Sequence, residues 1–144
     1  MKKVYCDVSK CLGCRSCEIA CAVEHSKSKT LFLAIKEEPL PINRRKVQAV
    51  DEIIISNACH HCEEAPCISA CMSAAMYKAE DGSTQHDEEK CVGCWMCIMV
   101  CPFAAISRQT KLALKCDLCK DRTEGPVCVI SCPTKSLVIK EVQK

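Results

Sequence analysis

A loop-rich α+β fold, two small units of short strands and short helices packed together, is predicted by three features of the sequence. Of the 17 cysteines in 144 residues, all but Cys6 fall into four groups of four, an internal repeat. Apolar residues make up 49% of the chain, but that figure counts the cysteines, and the aromatic side chains are one Trp, two Tyr and two Phe. Proline, glycine and turn pairs break the stretches between groups into segments too short for long helices. A chain of this length normally buries more large apolar side chains, so something other than packed hydrocarbon must occupy much of the interior.

Val4 to Asp7 is predicted as an opening strand. It leads into group one, Cys11, Cys14, Cys17 and Cys21, in the run CLGCRSCEIAC. The three-residue gap before the fourth cysteine suits a short helix at Glu18 to Ala20, and the same gap recurs at Ile68 to Ala70, Ile98 to Val100 and Val129 to Ser131. The longest stretch without cysteine runs from Ala22 to Ala58. Within it Glu38-Pro39-Leu40-Pro41 marks a loop, and alternation from Lys46 to Ser56 predicts a strand. Group two is Cys59, Cys62, Cys67 and Cys71 in CHHCEEAPCISAC, with two extra residues in its second gap. Asp81-Gly82 then predicts a hairpin turn between two short strands. Group three is Cys91, Cys94, Cys97 and Cys101 in CVGCWMCIMVCP; group four is Cys116, Cys119, Cys128 and Cys132 in CDLCKDRTEGPVCVISCP, with a longer insertion holding Gly125 and Pro126. Pro102 and Pro133 end the helices before them, since proline lacks the amide donor a further turn needs. Phe103 to Ser107 and Ser136 to Ile139 are predicted as closing strands.

Three chemistries use cysteine at this density. A secreted disulfide framework fits an even count in a shorter chain behind a signal sequence; here the count is odd and Met1 to Lys10 has no apolar core segment. With no stretch of about 18 apolar residues either, the chain is expected to be cytoplasmic, where thiols stay reduced. Tetrahedral zinc usually draws two ligands from each of two separated C-x2-C knuckles, and the tight spacing of group three crowds that arrangement. Group three instead matches in full the bacterial ferredoxin run C-x2-C-x2-C-x3-C-P, in which three thiolates wrap one [4Fe-4S] cubane and the fourth ligates the other cluster of a pair. Two-residue gaps let a tight loop present three thiolates to three irons while backbone N–H groups point at the sulfides. The stretched groups two and four are weaker by themselves, and group four alone would suit a zinc ribbon. Four [4Fe-4S] clusters are therefore expected, with a zinc-binding interaction module as the alternative of another class. Four such clusters at about −2 each turn the formal +2 of the chain into about −6. Lys27, Lys29, Arg44, Arg45 and Lys46 are accordingly expected to be solvated, or to offset the clusters and face an acidic partner, and nucleic-acid binding is not expected.

Exchange of the fourth cysteine makes the groups pair. Groups two and three are joined by a short turn-containing linker, so they are expected to form an inserted unit over 52–107. Groups one and four then complete each other in an outer unit of 1–51 together with 108–144. The expected ligand sets are Cys11, Cys14, Cys17 and Cys132; Cys59, Cys62, Cys67 and Cys101; Cys91, Cys94, Cys97 and Cys71; and Cys116, Cys119, Cys128 and Cys21. A tandem pairing, one with two and three with four, is the alternative. With a thiolate for every iron no position stays open for substrate, and four unclustered glycines leave no nucleotide fingerprint, so electron transfer without catalysis of its own is expected.

Cys6 is expected to be a free buried thiol. His60 and His61 lie between two ligands; neither is expected to bind iron, and His61 suits a hydrogen bond near a cluster. Trp95, Met96 and Met99 border group three and are expected to pack on it. Lys115, Lys120 and Arg122 are expected to be solvated charges that can also tune a cluster or steer a partner.

The four-group pattern, the stretched second and fourth groups, and the run Lys115-Cys116-Asp117-Leu118-Cys119-Lys120-Asp121-Arg122 together resemble the four-cluster ferredoxin-like electron-transfer subunits of molybdopterin oxidoreductases, formate dehydrogenases and hydrogenases. The resemblance covers nearly the whole chain. Within that family the short length and the opening CLGCRSCEIACAVEHS look most like the small iron-sulfur subunit that serves nickel carbon monoxide dehydrogenase. The resemblance implies two packed bacterial-ferredoxin-like units and an anaerobic setting. It also implies electrons passing from carbon monoxide dehydrogenase to a hydrogenase or a flavin-dependent NAD(P) oxidoreductase. The alternative is service to a formate dehydrogenase, hydrogenase or molybdopterin oxidoreductase, with any membrane association running through the partner complex. Two departures stand out: Cys21 and Cys71 are followed by Ala22 and Met72, where the full run has proline.

Overall fold

Short antiparallel ribbons and short helices, all but one of them a single turn, follow one another along the chain in the computed structural model, which describes residues 1–142; the last two positions of the expected outer unit lie outside the described residues. In order they are β1 (Lys2–Cys6), α1 (Ser16–Glu24), α2 (Leu31–Ala34), β2 (Arg45–Val50), β3 (Ile53–Ala58), α3 (Pro66–Ser69) and β4 (Met76–Lys78). The second half continues with β5 (Thr84–His86), α4 (Met96–Met99), β6 (Ile106–Gln109), β7 (Leu112–Lys115), α5 (Val127–Ile130) and β8 (Leu137–Glu141). β1 pairs with β8, setting Val4 opposite Ile139 and Cys6 opposite Leu137, so the first and last strands close one ribbon. β2 with β3, β4 with β5 and β6 with β7 are hairpins.

Every helix but α2 carries a buried cysteine. In α1, Cys17 and Cys21 are four apart and so share one buried face. α3, α4 and α5 each bury the third cysteine of their group, Cys67, Cys97 and Cys128. Pro66 opens α3 at a position where its missing donor is not needed. α1 packs on α5, and α3 packs on α4. Two small cores result, one around Cys67, Met76, Cys97, Ile106 and Ala113, the other around Cys17, Val47, Cys128 and Leu137.

The expected strand from Lys46 to Ser56 is a hairpin instead. Asp51 takes a left-handed φ of 53° and turns the chain back, so Val47 lies opposite Ser56. The 51/52 boundary therefore falls inside a turn, and β3 reaches β1, where the Ser56 amide donates to Cys6 Sγ at 3.4 Å. The strand expected at Phe103 begins only at Ile106, and α2 and β7 are additional elements. Cys6 is only half-buried. Among the described residues no helix is long and apolar enough to cross a membrane.

Candidate metal centres

The helix pairs bring together thiols from different groups. Cys11, Cys14, Cys17 and Cys132 line one cleft with Leu12, Gly13 and Val47. Burial pushes the Cys21 thiol up to about 12, against an Arg44 amide that donates to its Sγ at 3.3 Å, and the neighbouring thiols of Cys116, Cys128 and Cys119 add to the rise. Burial likewise raises Cys67, whose thiol neighbours are Cys59 and Cys101. It pushes Cys97 up to about 11, with Cys71 and Cys91 beside it and Cys67 next. Cys62 packs against the same core as Cys67, while Cys94 is exposed in the loop before α4. Across these assemblies Cys17 neighbours Cys128, and Cys59 neighbours Cys116.

Local donors point at the sulfurs. The His61 amide donates to Cys59 Sγ at 3.4 Å. Cys17 Sγ lies 3.3 Å from Ser56 Oγ. Against the effect of burial, the Ser136 hydroxyl at 3.2 Å, the Leu137 amide and the Thr134 hydroxyl hold the Cys132 thiol down at about 7. Such a shell favours the thiolate form that a metal needs. His25, Asp117 and Cys119 also gather nitrogen, oxygen and sulfur donors. There, however, His25 Nε2 and Arg44 Nη1 are already paired with the Asp117 carboxylate at 3.1 and 2.8 Å.

Several charges expected in solvent are inside. Arg45 and Lys115 are buried, Arg45 donating from Nη1 to the Ser56 carbonyl at 2.8 Å and Lys115 Nζ to the carbonyls of Thr84 and Cys116. Arg44 bonds Asp117 and Glu88, and Arg122 bonds Glu24 at 2.6 Å and Glu124 at 2.8 Å. Charge alone in the sequence carries no sign of this, because Arg44, Lys115 and Arg122 each have a partner far along the chain and Arg45 is buried by the hairpin it opens. Lys27, Lys29 and Lys46 are exposed.

His61 is buried and neutral: burial and the Lys115 charge push it down to about 3, and its Nδ1 accepts the Thr84 amide at 3.1 Å. His60 is stacked on Phe103, ring centroids 3.9 Å apart. Arg108 sits over the Trp95 ring at 5.9 Å, whereas Met96 and Met99 are exposed rather than packed.

An all-sulfur donor set with a buried third cysteine in every group and amides aimed at sulfur fits iron-sulfur clusters. The comparisons agree. The family described as "4Fe-4S dicluster domain" matches residues 50–142, a span that begins after group one. An iron-sulfur protein of Rhodospirillum rubrum is 40% identical, the alignment covering 93% of this chain and 79% of that one. The electron transport protein HydN of Escherichia coli is 34% identical over 96% of this chain and 87% of its own. A tetrathionate reductase subunit of Salmonella typhimurium is 32% identical over 95% of this chain and 56% of its own. A solved active-site complex BamBC of benzoyl coenzyme A reductase has a chain that superposes with a TM-score of 0.51 at 21% identity, covering 97% of this chain and 76% of that one, a likeness of fold alone.

Proposed function

Because the chain belongs to the 4Fe-4S dicluster domain family, we propose that it relays single electrons through four [4Fe-4S] clusters between larger redox enzymes. Its relatives include an electron transport protein, an iron-sulfur protein and a tetrathionate reductase subunit, which agrees with a role without catalysis of its own. When bound, the clusters supply one-electron outer-sphere transfer and leave no iron open to substrate.

The ligand sets proposed are Cys11, Cys14, Cys17 and Cys132; Cys116, Cys119, Cys128 and Cys21; Cys59, Cys62, Cys67 and Cys101; and Cys91, Cys94, Cys97 and Cys71. The observation that supports this grouping is the packing of α1 on α5 and of α3 on α4: Cys21 neighbours Cys116, Cys119 and Cys128, Cys132 shares a cleft with Cys11, Cys14 and Cys17, Cys101 neighbours Cys67, and Cys71 neighbours Cys97. The outer unit is proposed to run to Ala58 and to resume after β7 rather than at 108, because the β6–β7 hairpin puts Ile106 and Ala113 in the core of Cys67 and Cys97. In the order just given the quartets are proposed to form a line, which is supported by Cys17 neighbouring Cys128, Cys116 neighbouring Cys59, and Cys67 neighbouring Cys97. The exposed thiols, Cys14 and Cys94, belong to the two end quartets, where partners are proposed to dock.

The donor we infer is a nickel carbon monoxide dehydrogenase, on the resemblance of CLGCRSCEIACAVEHS, with a hydrogenase or a flavin-dependent NAD(P) oxidoreductase as acceptor and the cytoplasm as the location. Service to a formate dehydrogenase, hydrogenase or molybdopterin oxidoreductase is the second reading, favoured by the relationship to the tetrathionate reductase subunit. Mixing oxidised, anaerobically purified protein with carbon monoxide dehydrogenase and CO tests the first. Bleaching of the visible absorption is expected, and bleaching only with formate dehydrogenase and formate moves the assignment to the second. A colourless protein would indicate zinc and end both.

A further inference from the structure

Two cations are sealed inside the chain without an anion. Arg45 is 3% and Lys115 2% exposed, and neither has a carboxylate in salt-bridge range among the described residues. Their polar contacts are to neutral groups. Arg45 Nη1 donates to the Ser56 carbonyl at 2.8 Å and lies 3.3 Å from its hydroxyl, while its buried Nε has no acceptor. Lys115 Nζ donates to the carbonyls of Thr84 and Cys116. Neighbouring cations are treated differently by the same fold: Arg44 faces Asp117 and Glu88, and Arg122 faces Glu24 and Glu124. Carbonyl oxygens satisfy donors but do not neutralise charge, and an ion buried without an opposite charge is strongly disfavoured.

What lies beside these two cations is cysteine sulfur. The Arg45 charge acts on the Cys128 and Cys116 thiols, and Cys128 packs in the same core as Cys17, to which Ser56 joins Arg45. Lys115 Nζ bonds the carbonyl of Thr84, whose amide donates to His61 between Cys59 and Cys62, and its charge acts on Cys67 of the same group. Through Ser56, whose Oγ touches Cys17 Sγ at 3.3 Å, Arg45 also borders the group-one thiols, but at one remove.

We propose that Arg45 and Lys115 are the built-in counter-charges of the two middle clusters: Arg45 for the Cys21, Cys116, Cys119 and Cys128 quartet, Lys115 for the Cys59, Cys62, Cys67 and Cys101 quartet. This rests on the cluster reading above. A fixed positive charge favours the more negative, reduced state of a cluster, so each residue raises the reduction potential of its own site relative to the same site without it. The end quartets, with their exposed Cys14 and Cys94, have water to screen their charge instead. The line is thereby biased so that an electron arriving at either end moves inward.

The test uses Arg45→Gln and Lys115→Gln in the full chain; glutamine keeps an N–H donor for the carbonyls and removes the charge. Iron content of the wild-type protein is measured first, and a shortfall there counts against the cluster reading itself. The variants are then titrated reductively and followed by electron paramagnetic resonance. Each is expected to lower chiefly one midpoint potential, a different one in each variant, and the double variant both, with Arg45→Lys and Lys115→Arg near wild type. Full iron with no midpoint moved, with the same midpoint moved by both, or with all four lowered equally, overturns the proposal. Should a glutamine variant bind less iron, the charge-retaining variant decides. Full iron there supports a counter-charge, and the same deficit overturns it, because shape and not charge is then what matters.

Discussion

Arg44 Nη1 donates to Asp117 Oδ2 at 2.8 Å, joining residues 73 positions apart. The same carboxylate takes His25 Nε2 at 3.1 Å and the Cys119 amide at 3.0 Å, while His25 Nδ1 lies 2.8 Å from the Cys21 carbonyl. The network thus fixes the backbone on both sides of the proposed Cys21, Cys116, Cys119 and Cys128 quartet. Burial alone would raise the Asp117 carboxyl, but the His25 hydrogen bond and the Arg44 charge hold it well below the usual carboxylate range.

Asp117→Asn is therefore expected to destabilise the protein at neutral pH by about 1–3 kcal/mol, the cost of leaving charged partners unmatched. The sign of the pH effect follows from the lowered folded pKa. The contribution is fully present above the unfolded carboxylate value of about 3.9 and is lost as pH falls through the folded value. Wild type and variant should differ in thermal unfolding at pH 7 and converge in strong acid. Equal melting at pH 7 would count against the network.

The nested grouping makes a distinct prediction for one ligand. Cys132→Ser should perturb the signal of the cluster held by Cys11, Cys14 and Cys17, because Cys132 shares their cleft. A tandem arrangement would instead route the damage to the group-three cluster. Electron paramagnetic resonance of the reduced variant, compared with Cys14→Ser and Cys94→Ser, separates the two.

Cys6 stands outside all four quartets. Its Sγ accepts the Ser56 amide at 3.4 Å and lies beside Cys11, the nearest route by which it could replace a ligand. Cys6→Ser should keep the full iron complement and lose at most about 1 kcal/mol of stability from the weakened contact. A loss of roughly a quarter of the iron on analysis would make Cys6 a ligand.

Gly93 and Gly13 occupy matching positions in groups three and one, both at positive φ, 71° and 68°. A Cβ on Gly93 would stand 2.6 Å from the Lys111 carbonyl, which is backbone; on Gly13 it would meet only the Ile54 side chain at 3.2 Å. Both alanine variants carry left-handed strain of about 1 kcal/mol. Gly93→Ala should cost about 1–3 kcal/mol more, because the β6–β7 turn must shift. Thermal unfolding of the two variants side by side tests the difference.

The spacing of the cysteines carried most of this architecture. Every three-residue gap before a fourth cysteine coincides with helix or its last turn, and the Asp81-Gly82 turn lies between β4 and β5 where its residue types put it. The β2–β3 turn at Asp51-Glu52 was not legible, because Asp51 is followed by glutamate instead of the glycine that marks such a turn, and the flanking strands alternate as one. β7 was missed because Leu112 to Lys115 runs directly into Cys116 and shows too few residues for a period. Burial of Arg45 and Lys115 could not be seen in the sequence, since a lysine or arginine reads as solvated unless its surroundings are known. The Arg44, His25 and Asp117 network joins three distant segments and leaves no local pattern at all.

The most direct measurement is the iron and acid-labile sulfide content of the anaerobically purified full chain, combined with electron paramagnetic resonance on stepwise reduction. The account predicts about sixteen irons and sixteen sulfides per chain, with reduced clusters that show magnetic coupling between neighbours. About eight of each, or bound zinc with no paramagnetic signal on reduction, would contradict it.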